Sequence, residues 1–158
     1  MAFHIVLVEP QIPQNTGNIV RTCAATGSVL HLVHPLGFSI DDKYLKRAGL
    51  DYWMGVEVQC HDSFAQLQQK YPQQTFYFVE TVASDHYCSK QYKDGDFLVF
   101  GKETTGLPEA LLAANREQVI RIPMVEQNRS LNLSNAVAIV VYEALRQNEF
   151  MDLAIDTK

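Results

Sequence analysis

The chain is short of most features that would place it at a glance. It has only three cysteines, Cys23, Cys60 and Cys88, in 158 residues. Their odd number and the lack of a CxxC pair indicate neither a disulfide framework nor a zinc site. Long apolar runs are missing too. The longest, Ala136 to Val141, is six residues, against about 20 for a membrane-spanning helix. The first residues, MAFHIVLVEP, lack the basic start of a secretory signal and read as a core strand. Positive charge is in deficit, with 13 Lys and Arg against 18 Asp and Glu, a net charge of −5. That argues mildly against a nucleic-acid partner, because phosphate neutralisation drives most such binding, although local clusters override a global balance. Lys43, Lys46 and Arg47 form one such cluster, open to two readings: a solvated helix face or a phosphate contact. No repeat, linker or low-complexity stretch occurs. The expectation is a soluble, cytoplasmic protein with one domain over residues 1–158.

What is present is an alternation of β-branched and aromatic segments with helical ones, the pattern of an α/β fold around a mostly parallel sheet with helices on both faces. Phe3 to Val8 reads as a strand covered on both sides. A helix is expected from Thr16, ending at Gly27 as its C′ residue. Strands follow at Ser28 to Val33, Val56 to Cys60, Thr75 to Val82, Asp96 to Phe100 and Val119 to Ile122. Asp41 and Asp42 suit the cap of a short helix that Gly49 stops, and Ser63 with Gln66 forms a capping box for a helix reaching Tyr71. Pro108 opens a helix to about Asn115, and Ser134 to Asn148 makes the last one. The stretch between Val82 and Asp96 reads as irregular, and the tail beyond Phe150 as frayed.

Three segments carry chemistry. The first is PQIPQNTGNIVRTCAATG at residues 10 to 27. The second, FGKETTGLPEALL at 100 to 112, leaves a strand and enters a helix, so its glycines sit where the backbone approaches something closely. It is neither a Walker A loop, since Leu107 stands where lysine would, nor a dinucleotide fingerprint. The third, IPMVEQNRSLNLSNAVAIVVYEALRQ at 122 to 147, packs a polar loop against an apolar helix. That helix is apolar more widely than a one-sided stripe, so its second side needs cover from the core or from another subunit. A serine hydrolase is excluded because GxSxG is absent. His31 and His34, three apart on a strand, face opposite sides and do not chelate one metal; no metal is expected.

In this order, NTGNxxR, FGxExxGLP and IPMxxxxRSLNLSNAVAIVVYEA resemble the SPOUT class of RNA methyltransferases, over nearly the whole chain to about Gln147. Within the class the chain is similar to the tRNA 2′-O-methyltransferases of the wobble nucleotide (the TrmL type). The resemblance implies a deep C-terminal trefoil knot, which no general rule of topology would suggest. It also implies S-adenosylmethionine as methyl donor, a homodimer, and the anticodon arm of tRNA, cytidine or uridine, as substrate. Val79, Gly101, Ile122 and Ser130 map to cofactor positions, with Leu131 and Leu133 in the same loop. Arg21 maps to the catalytic arginine, and Asn15, Ser134 and Asn135 suit orienting the ribose or its hydroxyl. Arg129, Tyr142, Lys43 and Lys46 are candidates for substrate contacts, Tyr142 equally for the partner subunit. Relatives usually carry proline and arginine where this chain has Lys102 and Thr105, which leaves the loop intact but removes the arginine's contact. Two other readings are a ribosomal-RNA ribose methyltransferase, whose relatives commonly carry an added N-terminal RNA-binding domain, and a non-catalytic module binding an adenosine ligand or RNA.

Overall fold

The computed structural model of the chain describes all residues except 44, 46, 48–52, 157 and 158. Seven strands form one sheet: β1 (His4–Val8), β2 (Val29–Val33), β3 (Val58–His61), β4 (Phe76–Val79), β5 (Asp85–His86), β6 (Phe97–Phe100) and β7 (Val119–Arg121), in the order β3-β2-β1-β6-β4-β7-β5. Every ladder is parallel. Parallel neighbours require crossovers, and these include helices α1 (Pro13–Thr26), α2 (Phe64–Lys70) and α3 (Glu109–Ala114), with α4 (Leu133–Gln147) closing the chain.

Because successive strand residues face opposite sides, β1 divides the core. Ile5 and Leu7, with Leu30, Leu32 and Leu98, pack under Ile19 and Val20 of α1 and Val137 and Val141 of α4. Val6 and Val8, with Val33, Phe78 and Val99, pack against Leu67 of α2 and Leu111 of α3. The sheet is thus covered on both faces, which is why its strands read as continuous apolar runs.

Several boundaries differ from expectation, each for a visible reason. Helix α1 begins at Pro13, not Thr16: Ile12 has no capping side chain, and its N–H with that of Gln11 is held instead by the distant Glu103. Its end is as expected, Gly27 adopting the left-handed conformation at φ 68°. Strand β4 stops at Val79, although Glu80 N–H still donates to Ile120 O at 2.9 Å, and the Glu80 side chain bonds the loop after β6. The stretch expected to be irregular holds β5, two polar residues too short to show a pattern. Beyond Phe150 the tail folds back, with Leu153 packed on the core and Asp152 paired to the Met1 amino group. Ser63 caps α2 as expected, accepting from Gln66 N–H at 3.1 Å, while Gln66 Oε1 reaches one residue further back and accepts from Asp62 N–H at 2.8 Å. Asp42 accepts from Leu45 N–H at 3.4 Å, and Gly49 lies outside the described residues.

Three histidines form a row across β1, β2 and β3. His4 Nδ1 lies 2.8 Å from His31 Nε2, and His31 Nδ1 lies 3.0 Å from His61 Nε2. His4 stacks on Phe97 with centroids 4.2 Å apart, and Tyr71 of the α2 end packs on His4 and His31. Burial pushes His31 down to about 3, helped by its two neighbours and Lys70. His4 and His61 are also lowered, again chiefly by burial. The row is therefore a chain of neutral imidazoles, in which His31 donates at one ring nitrogen and accepts at the other.

Candidate functional site

The sheet register builds the site. Leu7, Phe100 and Val79 lie side by side across β1, β6 and β4, and Val79 pairs with Ile120 of β7. Gly101, Glu80 and Ile122 consequently emerge together at the carboxyl edge of the sheet, where open parallel sheets bind ligands. A pocket of about 470 Å³ opens there, within the size range of small-molecule sites. Val79, Gly101, Ile122, Ser130, Leu131 and Leu133 all line it, as do Asn15 and Arg129.

One wall is the loop after β6. Gly106 N–H donates to Lys102 O at 3.0 Å, folding the loop back so that a Cβ on Gly101 would stand 2.2 Å from the Gly106 carbonyl carbon. Gly106 itself has φ +70°, and a Cβ there would meet Glu80 Oε2 at 2.1 Å. Glycine is required at both positions, by close approach at the first and by both space and backbone angle at the second. Glu80 Oε2 accepts from Leu107 N–H at 3.0 Å and Oε1 from Thr81 N–H at 2.9 Å, latching this loop to the end of β4.

A polar relay joins the three sequence motifs. Glu103 takes Gln11 N–H at 2.9 Å on Oε2, and on Oε1 takes Ile12 N–H at 3.0 Å and Asn15 Nδ2 at 3.3 Å. Asn15 Oδ1 accepts from Asn132 Nδ2 at 3.0 Å. Asn132 Oδ1 in turn caps α4, accepting from Ser134 N–H at 3.0 Å, Asn135 N–H at 3.3 Å and Ser134 Oγ at 2.5 Å. A carboxylate at one end and a helix N-terminus at the other give every donor an acceptor. Such charge-assisted bonds to backbone N–H groups are among the stronger ones, and they fix Asn15, which is 94% buried.

The other expected site residues fall outside this pocket's lining. Arg21 lies exposed in the third turn of α1. Ser134 and Asn135 occupy the start of α4, tied to Asn132. Tyr142 stands on the outer face of α4 at 43% exposure. Lys43 is exposed, and Lys46 lies outside the described residues. Asn15 is a member of the first turn of α1. Sequence reasoning missed Glu80, Glu103 and Asn132; the last two stand inside the quoted motifs, but nothing local shows that they bond across the chain. Among the described residues no group of His, Cys, Asp or Glu is placed to hold a metal, and no helix is long and apolar enough to cross a membrane.

Comparison with known proteins follows the same outline. The profile of the SpoU rRNA Methylase family matches residues 2–142. The tRNA (cytidine(34)-2′-O)-methyltransferase of Escherichia coli (strain K12) is 53% identical over 146 residues, covering 91% of this chain and 92% of the relative. A solved structure described as giving insights into 2-OH methylation of C/U34 on tRNA is 43% identical, with TM-score 0.90, covering 94% of this chain and 97% of that one. A crystal structure from Bacillus anthracis is 46% identical at TM-score 0.91, covering 98% and 99% of the two chains.

Proposed function

The chain belongs to the SpoU rRNA methylase family, and we propose on that premise that it is a cytoplasmic enzyme that methylates the 2′-hydroxyl of the wobble ribose of tRNA, cytidine or uridine at position 34, from S-adenosylmethionine. One observation carries the reading: the pocket at the carboxyl edge of β4, β6 and β7 is lined by residues of all three motifs, and the Glu103–Asn15–Asn132 relay ties those motifs together. The names of relatives about half identical over nearly the full chain supply the substrate.

The pocket suits the donor. Val79, Ile122, Leu131 and Leu133 are apolar walls for an adenine ring, while Gly101 and Ser130 bring main chain within reach of its polar edge. Bound there, S-adenosylmethionine supplies a methyl group on a positively charged sulfur, a carbon open to in-line attack. The chain's task is then alignment of the 2′-hydroxyl and help in losing its proton. Arg21 is the residue for that task. A guanidinium is a costly base, with a pKa of roughly 12.5–13.8. Its role is to orient the ribose and adjacent phosphate and to stabilise negative charge growing on the 2′-oxygen. Arg129 at the pocket rim adds a phosphate contact, Ser134 and Asn135 face the ribose, and Lys43 and Lys46 track the anticodon arm.

Arg21 does not line the pocket of its own chain, which favours a homodimer in which a second copy completes the site. The surface for it is a pair of stripes with equal spacing. Gln14, Asn18, Arg21 and Ala25 are exposed along α1, and Asn135, Ile139, Tyr142 and Arg146 along α4. The trefoil knot implied by the family would be what lays the 122–133 loop over the 100–107 loop. The test is nucleoside mass spectrometry of tRNA from cells lacking the protein. Loss of the wobble 2′-O-methyl group, restored by the intact chain, is expected. An unchanged wobble ribose alongside a missing methyl in ribosomal RNA would overturn the assignment.

A further inference from the structure

Glu80, like Glu103, gives the pocket a carboxylate held in place by neutral donors rather than by a cation. It lies just beyond β4, half-buried, and lines the pocket. Its carboxylate accepts from Leu107 N–H at 3.0 Å, Thr81 N–H at 2.9 Å and Thr81 Oγ1 at 3.4 Å. Among the described residues no Lys or Arg lies within ion-pair distance of it. Neutral donors orient a carboxylate but leave its net charge, so the charge acts on whatever occupies the pocket. The absence of a Cβ at Gly106 leaves the space that the carboxylate fills.

We propose that Glu80 is a specificity-determining residue, one that makes the pocket prefer the sulfonium donor to the uncharged thioether left after methyl transfer. The proposal rests on the reading of the pocket as the donor site. In the transfer the 2′-oxygen gains the methyl, the electron pair of the broken carbon–sulfur bond stays on sulfur, and the hydroxyl proton is lost to water. The ligand therefore goes from net charge +1 to zero. A fixed carboxylate attracts the first and not the second, favouring donor loading and product release together.

The size of the effect follows from the pocket. Taken as a sphere, a volume of about 470 Å³ is about 10 Å across, which sets the scale of the separation between Glu80 and the sulfur. A single charge removed at that range changes affinity between about twofold and about fifteenfold, as the effective dielectric constant runs from about 80 to about 20.

The experiment is calorimetric titration of the full-length protein with S-adenosylmethionine and, separately, S-adenosylhomocysteine, for wild type, Glu80→Gln and Glu80→Asp. Glu80→Gln should weaken the donor more than the product, lowering the preference for donor by that factor. Glu80→Asp keeps the charge but shortens the latch, so it should weaken both ligands while keeping their ratio. Equal weakening of both ligands by Glu80→Gln would make Glu80 a structural latch only and overturn the proposal, as would no change in either. Failure of the wild type to bind either ligand would instead overturn the donor-site reading itself.

Discussion

Mild acid should loosen this fold through its histidine row, by an amount that can be worked out. His31 is fully buried, and its folded-state value is pushed down to about 3 from 6.5. The unfolded chain takes up the proton near pH 6.5 and the folded chain does not. The stabilisation is thus complete above pH 6.5 and declines as pH falls from there toward about 3. Between pH 7.5 and 5.5 one such histidine costs about 1.4 kcal/mol of stability. For a chain of this length that corresponds to a fall of about 4 °C in Tm. His4 and His61 are shifted the same way and add to it, although each is nearer solvent. Of the charges facing the row, Lys70 reinforces the depression, while Glu57 and Asp94 oppose it at His4. Asp96, whose carboxyl burial pushes up, acts in the opposite sense at lower pH, so the comparison must be made against a variant. In His31→Gln, which keeps hydrogen-bonding groups between His4 and His61 but does not titrate, the acid-induced fall in Tm should be smaller by about 4 °C. Differential scanning calorimetry at the two pH values reads this directly. An equal fall in both proteins would refute the claim that the row is neutral in the folded state.

Two further perturbations probe the relay and the outer helix face. Asn132→Ala removes the cap of α4, worth about 0.5–2 kcal/mol, and the bond to Asn15, worth about 0.5–1.5 kcal/mol, so urea denaturation should show a loss of about 1–3.5 kcal/mol. Asn132→Asp keeps the cap but sets a carboxylate against Asn15 Oδ1; it should remain folded yet bind S-adenosylmethionine more weakly, and wild-type affinity would show that the relay does not shape the pocket. Ile139→Glu, placed on the exposed stripe of α4, should halve the mass measured by sedimentation velocity and abolish methyl transfer, whereas an unchanged mass would put the interface elsewhere.

The layered α/β architecture was legible because each central strand, covered on both faces, is apolar apart from His4 and His31. The pocket wall was legible as well: five residues of the motifs and Val79 converge on one cavity, since the register of β4, β6 and β7 delivers their ends to one edge. What escaped were relations between distant segments. The start of α1 was misplaced because its cap is Glu103, some ninety residues away, and no local pattern announces a borrowed cap. Asn132 could be seen as one of several polar residues before α4; its bond to Asn15 spans 117 positions and depends on the whole topology. Glu80 looked like the middle of a strand, since nothing in FYFVETV marks where the ladder stops. The histidine row was invisible for the same reason: His4, His31 and His61 belong to three strands whose adjacency only the fold supplies.

The most direct test of the central claim is methyl transfer in a purified system. Unmodified tRNA from cells lacking the protein would be incubated with the enzyme and methyl-labelled S-adenosylmethionine, then digested and mapped, alongside an Arg21→Ala variant whose donor affinity is measured in parallel. The account predicts label on the 2′-oxygen of the position 34 ribose, and its loss in Arg21→Ala with donor binding kept. Donor binding by the wild type with no label in tRNA would contradict it.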